Sequence, residues 1–274
     1  MNRLLLIAAA SREGSLNAAR QGIAFAAKLG VPVCLAHVFH PEADAWPDAE
    51  ENLDRLVGEA RASGVAATAR LLEVPEDLPN REDETRDALV KLVGELDAGC
   101  LVLATHSRPE ADRVLLGGTA VRLLHAAPCP CLFVPPSSAV GTKVLAPVDS
   151  SPTSHRAAQV ALDCVGHLAS HVDWVSVAGS RERAAAHLEE DEAGRILQTF
   201  AALAAERQLP SATHLRHGPA AKEIVAAAAE LGSGLVIIGT HGRSGLGGWL
   251  IGSVAEAVVR TSPCPVLLVP PEKH

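Results

Sequence analysis

The sequence is poor in the residues that several functional classes require. Aromatic side chains make up 3% of the 274 residues, tyrosine is absent and methionine occurs once. Proteins that bind single-stranded nucleic acid stack bases on aromatic side chains, so the composition argues against such a platform. The cores must be built from Ala, Val, Leu and Ile. With 48% hydrophobic and 20% charged residues, the chain has the composition of a folded globular protein.

Charge and hydrophobic runs exclude two further classes. The net charge is −8 with histidine neutral; residues 1–140 carry 13 basic and 19 acidic side chains, and residues 141–274 carry 11 and 13. Neither half has the basic surface expected of a DNA- or RNA-binding protein. No apolar run reaches about 18 residues, so no membrane span is predicted.

The N-terminal segment mimics a short secretion signal, because Arg3 is followed by an apolar run and an Ala-rich end. The run is at the lower limit of length for such a signal. A matching segment recurs inside the chain, where no signal can operate. We therefore expect a buried first strand and a cytoplasmic protein.

The six cysteines form no recognisable metal or redox motif. No Cys-x-x-Cys pair is present, which argues against zinc-ribbon and thioredoxin-like sites. Cys129 and Cys131 flank Pro130, and two extended residues span roughly 6.6 Å, near the outer limit for a disulfide. Because most of the six lie in or beside apolar runs, we expect small buried side chains and no metal site.

An internal duplication sets the domain organisation. Three pairs of segments match at one offset of 135 residues: 105–108 with 240–243, 116–117 with 251–252, and 128–136 with 263–271. The first copy ends in a Pro-Pro-Ser-Ser stretch of linker composition at 135–138. We therefore predict two domains, residues 1–138 and 139–274.

Each copy has the pattern of alternating strands and helices. In the first copy, strands are predicted at 4–9, 33–39, 66–72, 100–105 and 131–134, and helices at 15–29, 48–63, 81–96 and 117–126. In the second copy, strands are predicted at 143–148, 172–178, 212–216, 235–240 and 266–269, and helices at 152–170, 181–207, 219–231 and 252–261. This order predicts an α/β fold with a doubly wound, parallel five-stranded sheet in each domain. A ligand should bind beyond the carboxyl ends of the strands, just after Val148, Val177 and Gly239.

A glycine-rich loop in the second copy predicts a phosphate site. Six glycines occur from Gly239, which ends a buried strand, to Gly252, which opens a helix with Ser253. Glycine lets the backbone approach an anion closely, and the amides at a helix start favour phosphate. The loop lacks the Gly-Lys-Ser/Thr of a Walker loop, and the dinucleotide fingerprint is absent after the first strand. A solvent-exposed connection that needs glycine only for turns is the alternative.

The spacing Gly239-x-x-Gly242, nine residues, Gly252-Ser253 resembles the nucleotide-binding pattern of the universal stress protein family. Segments 146–149, 175–177, 218–220 and 262–266 agree with that pattern. Each of these segments is an unspecific signal alone. Together they extend the resemblance over essentially the whole chain as two tandem copies. The resemblance implies a Rossmann-like, flavodoxin-like fold of the adenine nucleotide α-hydrolase type.

The resemblance also implies which residues bind ATP. In ATP-binding members, an Asp after the first strand holds adenine and ribose, and main chain at the end of the second strand reads the adenine edge. The phosphates lie on the glycine loop and on the start of the following helix. For His241 and Arg243, solvent exposure is the alternative. The predicted ATP-binding residues are Pro147, Asp149, Val177, Gly239, Thr240, His241, Gly242, Arg243, Gly252, Ser253 and Val254.

The first copy departs from this pattern. Ala104 replaces Gly239, Ser107 replaces Gly242, Gly118 replaces Ser253, and the match of Asp149 is Ala9 or Ala10. The loop at 108–113 adds two carboxylates and a proline, which oppose a polyphosphate. We expect the first domain, whose nucleotide motif is degenerate, to have lost ordinary ATP binding. It would then serve as a structural partner or hold another ligand.

The resemblance implies a regulatory protein of stress adaptation that binds ATP, with or without Mg²⁺, in its second domain; AMP and ADP are alternative ligands. A slow ATPase or nucleotide hydrolase is the enzymatic alternative, with no catalytic residue assigned, and a scaffold for a non-nucleotide ligand is the third.

The short last strands would lie at sheet edges, whose unpaired main-chain groups can pair with another strand. The resemblance implies that the two copies pair through them as an internal pseudo-dimer, and a homodimer is a further expectation.

Two histidines in the second copy raise one more alternative. His167 and His171 are four residues apart near the end of the helix predicted at 152–170, so one helix face could present two metal ligands. No Glu or third His stands at helical spacing beside them. We therefore favour histidines placed at a helix end by the dipole.

Overall fold

The apolar runs form the central strands of a parallel sheet in each of two units, residues 1–138 and 139–274. This computed structural model describes residues 3–9, 13–39, 46–74, 81–105, 116–126, 129–167, 170–179, 183–240 and 251–271. Within these ranges each unit has five strands and four helices in strict alternation. The predicted α/β class with a doubly wound parallel sheet is confirmed in both units.

Unit 1 has its first strand in the middle of the sheet. Its elements are β1 (Leu5–Ala8), α1 (Glu13–Leu29), β2 (Val33–Phe39), α2 (Trp46–Ala62), β3 (Ala67–Glu73), α3 (Arg81–Glu95), β4 (Cys100–Ala104), α4 (Gly118–Ala126) and β5 (Cys131–Val134). The strand order is β3-β2-β1-β4-β5, with every pair parallel. Ile7 of β1 therefore lies opposite Leu35 on one side and Val102 on the other. The N-terminal apolar run is thus a buried strand, as predicted.

Unit 2 repeats this arrangement. Its elements are β6 (Lys143–Pro147), α5 (Pro152–Val165), β7 (His171–Ala178), α6 (Arg183–Glu206), β8 (Ser211–His217), α7 (Ala220–Glu230), β9 (Leu235–Gly239), α8 (Ser253–Thr261) and β10 (Val266–Val269). The order is β8-β7-β6-β9-β10, again all parallel. The order reverses between β6 and β9, which is where a doubly wound sheet opens a crevice.

The position of a strand in the sheet explains its sequence pattern. The central strands β2 and β9 are buried at every residue, because helices cover both faces of a parallel sheet. The terminal strands β3 and β8 instead alternate between more and less exposed residues.

Helices α3 and α4 pack on each other, and so do α7 and α8. None of the helices in the described ranges combines the length and apolar character needed to cross a bilayer.

The two units share hydrogen bonds at equivalent positions. The amide of Thr105 donates to Val134 at 3.0 Å, and the amide of Thr240 donates to Val269 at 3.1 Å. Likewise, the amide of Ala9 donates to the carbonyl of residue 36, and the amide of Val148 donates to that of residue 175, both at 2.8 Å. Ala9 is therefore the counterpart of Val148, so the residue that follows it, Ala10, matches Asp149 in sequence. Ala10 itself lies outside the described residues.

The helix predicted at 152–170 is shorter than expected. It ends at Val165, and the amide of the C-cap residue Gly166 bonds to the carbonyl of Cys164. His171 instead begins β7, opposite Lys143. The expectation that His167 and His171 lie together near a helix end is therefore wrong, because the helix ends before both histidines and His171 belongs to a strand. Among the described residues, no group of three potential ligands is arranged to hold a metal ion.

All six cysteines are buried thiols that form no disulfide. Cys164, on the inner side of α5, is 1% exposed. Because burial disfavours the thiolate, the pKa of Cys164 rises from its ordinary value of 9.0 to about 12. The thiols therefore act as small apolar side chains in the native protein.

The raised pKa of Cys164 predicts a loss of stability in alkali. The unfolded chain releases the proton near pH 9, whereas the folded chain keeps it to about pH 12. The stabilisation is therefore complete below pH 9 and declines as the pH rises toward 12. Between pH 8 and 10.5 this thiol should account for a loss of about 2 kcal/mol.

Urea unfolding across this pH range measures the effect. Cys164→Ala should show a shallower decline of unfolding free energy with pH than the wild type. The control is Leu162→Ala, which removes a neighbouring buried side chain without a titratable group. It should lower stability at every pH and keep the wild-type slope; equal slopes in all three proteins would contradict the prediction.

Candidate functional site

A cavity of about 390 Å³ opens at the carboxyl edge of the unit 2 sheet, where the strand order reverses. The ends of β6, β7 and β9 form its floor, and the starts of α7 and α8 form its walls. Eight residues that the sequence assigned to the site line this cavity: Pro147, Asp149, Val177, Gly239, Thr240, Gly252, Ser253 and Val254. The other three, His241, Gly242 and Arg243, lie outside the described residues.

Asp149 is held in place by the first turn of α5. Its Oδ1 accepts hydrogen bonds from the amide of Ser151 at 3.0 Å and from the Ser151 hydroxyl at 2.6 Å. The same Ser151 hydroxyl accepts from the amide of Ser154 at 3.2 Å and so caps α5. The amide of Asp149 donates to the Ser154 hydroxyl at 2.9 Å. One carboxylate oxygen is thus engaged by the helix, which fixes the orientation of the group at the cavity edge.

The end of β7 extends past the end of β6. The register between the two strands ends at Pro147 opposite Val175, and the Val175 carbonyl accepts the amide of Val148 at 2.8 Å. Main-chain groups two residues apart on a strand point the same way, so the amide and carbonyl of Val177 lie one step farther along, beside the cavity. The side chains of Ile224 and Ile238 add apolar lining.

The start of α8 is fixed by one short main-chain bond. The amide of Gly252 donates to the carbonyl of Thr240 at 2.6 Å, and the carbonyl of Gly252 accepts from Glu256 at 3.0 Å. Gly252 is the N-cap and gives no side-chain cap. Its own amide is therefore engaged, whereas Ser253 and Val254 stand in the first turn, whose amides have no partner within a helix. Both residues are exposed, and Val254 is 36% exposed despite its apolar side chain.

Close packing against α5 leaves no room for a side chain at Gly239. A Cβ atom at this position would lie 2.8 Å from the main-chain carbon and oxygen of Thr153 in α5. The main chain of a helix cannot retreat as a flexible side chain can, so α5 reaches the end of β9 only because residue 239 is glycine. Close packing therefore accounts for this glycine without any ligand.

Sequence reasoning missed part of the lining. The cavity also contacts Val148, Ser154, Val175, Gly179, Gly218, Ala220, Ile224, Ile238 and Ala255. Val148, Val175, Gly218 and Ala220 belong to segments that agree with the family pattern, so the sequence could have assigned them to the site. Ile224 gives only a helix-core signal, with Ala227 and Ala228 on the same buried face. Helical periodicity does not reveal which buried residue borders a cavity.

Comparison with known proteins identifies the family. The sequence profile of the Universal stress protein family matches residues 1–135 and again residues 142–270. The chain belongs to the universal stress protein family. The double match means that this member carries two universal stress domains in tandem, as the duplication predicts.

Relatives that match over most of their own length carry the family name. A universal stress protein of Mycolicibacterium smegmatis is 28% identical over 268 residues, covering 88% of this chain and 87% of the relative. A universal stress protein of Mycobacterium tuberculosis is 28% identical over 287 residues, covering 93% and 94%. The crystal structure of a universal stress protein from Archaeoglobus fulgidus has a TM-score of 0.73 at 18% identity, covering 100% of this chain and 98% of the other. That structural likeness supports the fold.

The packing of Gly239 predicts a destabilised universal stress domain when a methyl group is added. Gly239→Ala should lower the free energy of unfolding by about 1–3 kcal/mol, because Thr153 must shift. The matched control is Gly194→Ala in α6, where an added Cβ meets nothing within 4 Å. That change should stabilise the helix by about 0.5–1 kcal/mol. Chemical denaturation measures both, and a neutral Gly239→Ala would refute the packing account.

Proposed function

We propose that unit 2 binds an adenine nucleotide, with ATP as the first candidate, and that the protein acts as a nucleotide-responsive regulator in stress adaptation. One observation carries the proposal: eight residues predicted from the sequence lie around one cavity at the reversal point of the sheet. They come from β6, β9, β7 and α8, which are distant in sequence. Ligands of doubly wound sheets bind in this crevice.

The nucleoside would occupy the part of the cavity next to β6 and β7. Asp149 has Oδ1 bound to Ser151, so Oδ2 is the oxygen that would accept hydrogen bonds from ribose hydroxyls. The main-chain amide and carbonyl of Val177 would read the edge of the adenine. The side chains of Val175, Val177 and Ile224 supply apolar surface for the base.

The phosphates would lie against the start of α8. The amides of Ser253 and Val254 and the positive end of the helix dipole favour an anion there, and the Ser253 hydroxyl adds a donor. The Gly252 amide is already bound to Thr240, so we assign it the role of fixing the helix start. Asp149 is the only ionisable side chain among the described residues that line the cavity, and it stands beside β6 rather than α8.

Binding is favoured over rapid hydrolysis. Phosphoryl transfer needs a group that positions the attacking water and charges that stabilise the γ-phosphate. In the described lining, the one carboxylate is oriented by Ser151 and assigned to the sugar. Mg²⁺ would accordingly be held mainly by phosphate oxygens. ADP release should therefore stay below about one turnover per second, slower than typical kinases.

Removing the Asp149 carboxylate tests the proposed sugar contact. Asp149→Ala should weaken ATP binding by about 10- to 100-fold, the effect of losing a charged hydrogen bond. Isothermal titration calorimetry with ATP measures the affinity and the stoichiometry, which should be one per chain. The control is Asp163→Ala, an exposed acid of α5 that pairs with Arg207 at 2.9 Å. It should bind like the wild type.

Mass spectrometry of ligand released from freshly purified protein identifies the nucleotide independently. An adenine nucleotide should appear in the wild type and in Asp163→Ala and be depleted in Asp149→Ala. The proposal fails if the wild type binds no ATP, AMP or ADP, or if Asp149→Ala and Asp163→Ala bind ATP equally well while both remain folded.

A charge placed at the start of α8 tests the phosphate end. Ser253→Glu should weaken ATP binding at least about 10-fold, because the carboxylate would repel the phosphates. The same carboxylate should stabilise the helix by about 0.3–1 kcal/mol through the dipole. Affinity and stability would thus change in opposite directions, which distinguishes repulsion from misfolding.

Ser253→Gln is the matched control for that charge. It has nearly the same size and no charge, so it should lose less affinity for ATP and gain less stability. Thermal unfolding without ligand and titration with ATP give the two quantities. Equal ATP affinities for Ser253→Glu and Ser253→Gln would place the phosphates elsewhere.

A further inference from the structure

Helix α3 of unit 1 begins one turn earlier than its counterpart in unit 2. The strands that follow them, β4 and β9, begin at Cys100 and Leu235, and the helices themselves end at Glu95 and Glu230, all at the same offset of 135 residues. Yet α3 begins at Arg81, whereas α7 begins only at Ala220. The additional turn, residues 81–84, corresponds to residues 216–219, which in unit 2 hold the end of β8 and the turn at Gly218.

The additional turn places a carboxylate at the start of α4. A Cβ atom built on Gly118 would collide with the Glu82 carboxylate, whose carbon and both oxygens are its nearest neighbours. Gly118 is the first residue of α4, as Ser253 is the first residue of α8. The carboxylate of Glu82 therefore fills the space that the Ser253 side chain needs in unit 2.

Charge pairs hold this carboxylate in place. Glu82 Oε2 lies 3.2 Å from Arg122 Nε and 3.1 Å from Arg122 Nη2, one turn into α4. Arg122 also pairs with Asp83 at 3.3 Å, and Asp83 pairs with Arg86 at 2.8 Å. A negative charge at a helix start is stabilised by the helix dipole, as a bound phosphate would be.

We propose that Glu82 is a built-in anion: it occupies in unit 1 the place at the start of α4 that phosphate is assigned in unit 2, and it closes unit 1 to phosphate-bearing ligands. An incoming phosphate would meet the charges of both Glu82 and Asp83. The amino end of α4 already has a negative charge of the protein beside it, so unit 1 would not offer a second nucleotide site. The comparison with unit 2 rests on the proposed function, whereas the occupation of α4 by Glu82 rests on unit 1 alone.

Replacement of the carboxylate by a free anion tests the proposal. In Glu82→Ala, amide hydrogen exchange of the α4 peptide, residues 116–126, should become roughly five-fold faster, because the charge at the helix start is lost. Addition of 20 mM inorganic phosphate should restore slow exchange in Glu82→Ala. The wild type should show no change with phosphate, because Glu82 already fills the place.

Glu82→Gln and Asp87→Ala complete the design. The amide keeps the shape of the side chain and removes its charge, so its α4 exchange should rise less than in Glu82→Ala, and phosphate should slow it little because the side chain still fills the place. Asp87 is 70% exposed on the same helix and pairs with Arg86, so Asp87→Ala should exchange like the wild type with and without phosphate. Protection of the β2 peptide serves as the check that unit 1 remains folded.

Three results would overturn the proposal: unchanged α4 exchange in Glu82→Ala, exchange in Glu82→Ala that phosphate does not slow, or phosphate protection of α4 in the wild type. If Glu82→Ala unfolds unit 1, the α4 exchange of Glu82→Gln decides: exchange as slow as in the wild type would overturn the proposal. None of these readouts involves a nucleotide or a residue of unit 2, so the nucleotide proposal and this one can fail separately.

Discussion

The site depends on the hydrogen bond that ties the start of α8 to the end of β9. The amide of Gly252 donates to the carbonyl of Thr240, whose own amide is bound to Val269 of β10. The bond brings the amino end of a helix, with its unpaired amides, to the edge where the strands end. The same pair of bonds occurs in unit 1 through Gly117 and Thr105. Both units therefore place a helix start beside the crevice, whatever that crevice holds.

The two units differ in what meets that helix start. In unit 2 the preceding helix, α7, begins late, after a turn at Gly218 with a φ of +134° that favours glycine. The space before α8 is left as part of a cavity. In unit 1, α3 begins a turn earlier and its Glu82 lies against Gly118. A difference of one helical turn thus accompanies an open cavity in unit 2 and an internal ion pair in unit 1, while the strand order is the same in both.

The sequence predicted the features that repeat or are periodic. Continuous apolar runs gave the central strands, and the offset between copies gave the tandem organisation, because both patterns follow from burial. The boundary of α5 was missed, since hydrophobic periodicity does not register where the last turn of a helix ends, here at Val165. The residues around the cavity were gathered from the family pattern rather than from periodicity. Ile224 was missed because a residue that borders a cavity and one that faces a core have the same helical spacing.

Glycine illustrates why a motif cannot be interpreted from composition alone. Gly239 and Gly252 look alike in sequence, yet a side chain at 239 would meet the main chain of Thr153, whereas the amide that binds Gly252 to Thr240 is one that any residue except proline could supply. Unit 1 keeps the glycine that fixes the helix, as Gly117, and has Ala104 in place of the other. Residue 118 is also glycine, and there the absent side chain accommodates Glu82. Gly239 and Gly118 thus lack a side chain for two separate reasons. Only the contacts of each position distinguish a glycine that serves the fold from one that leaves room for an anion, whether that anion arrives as a ligand or is already part of the chain.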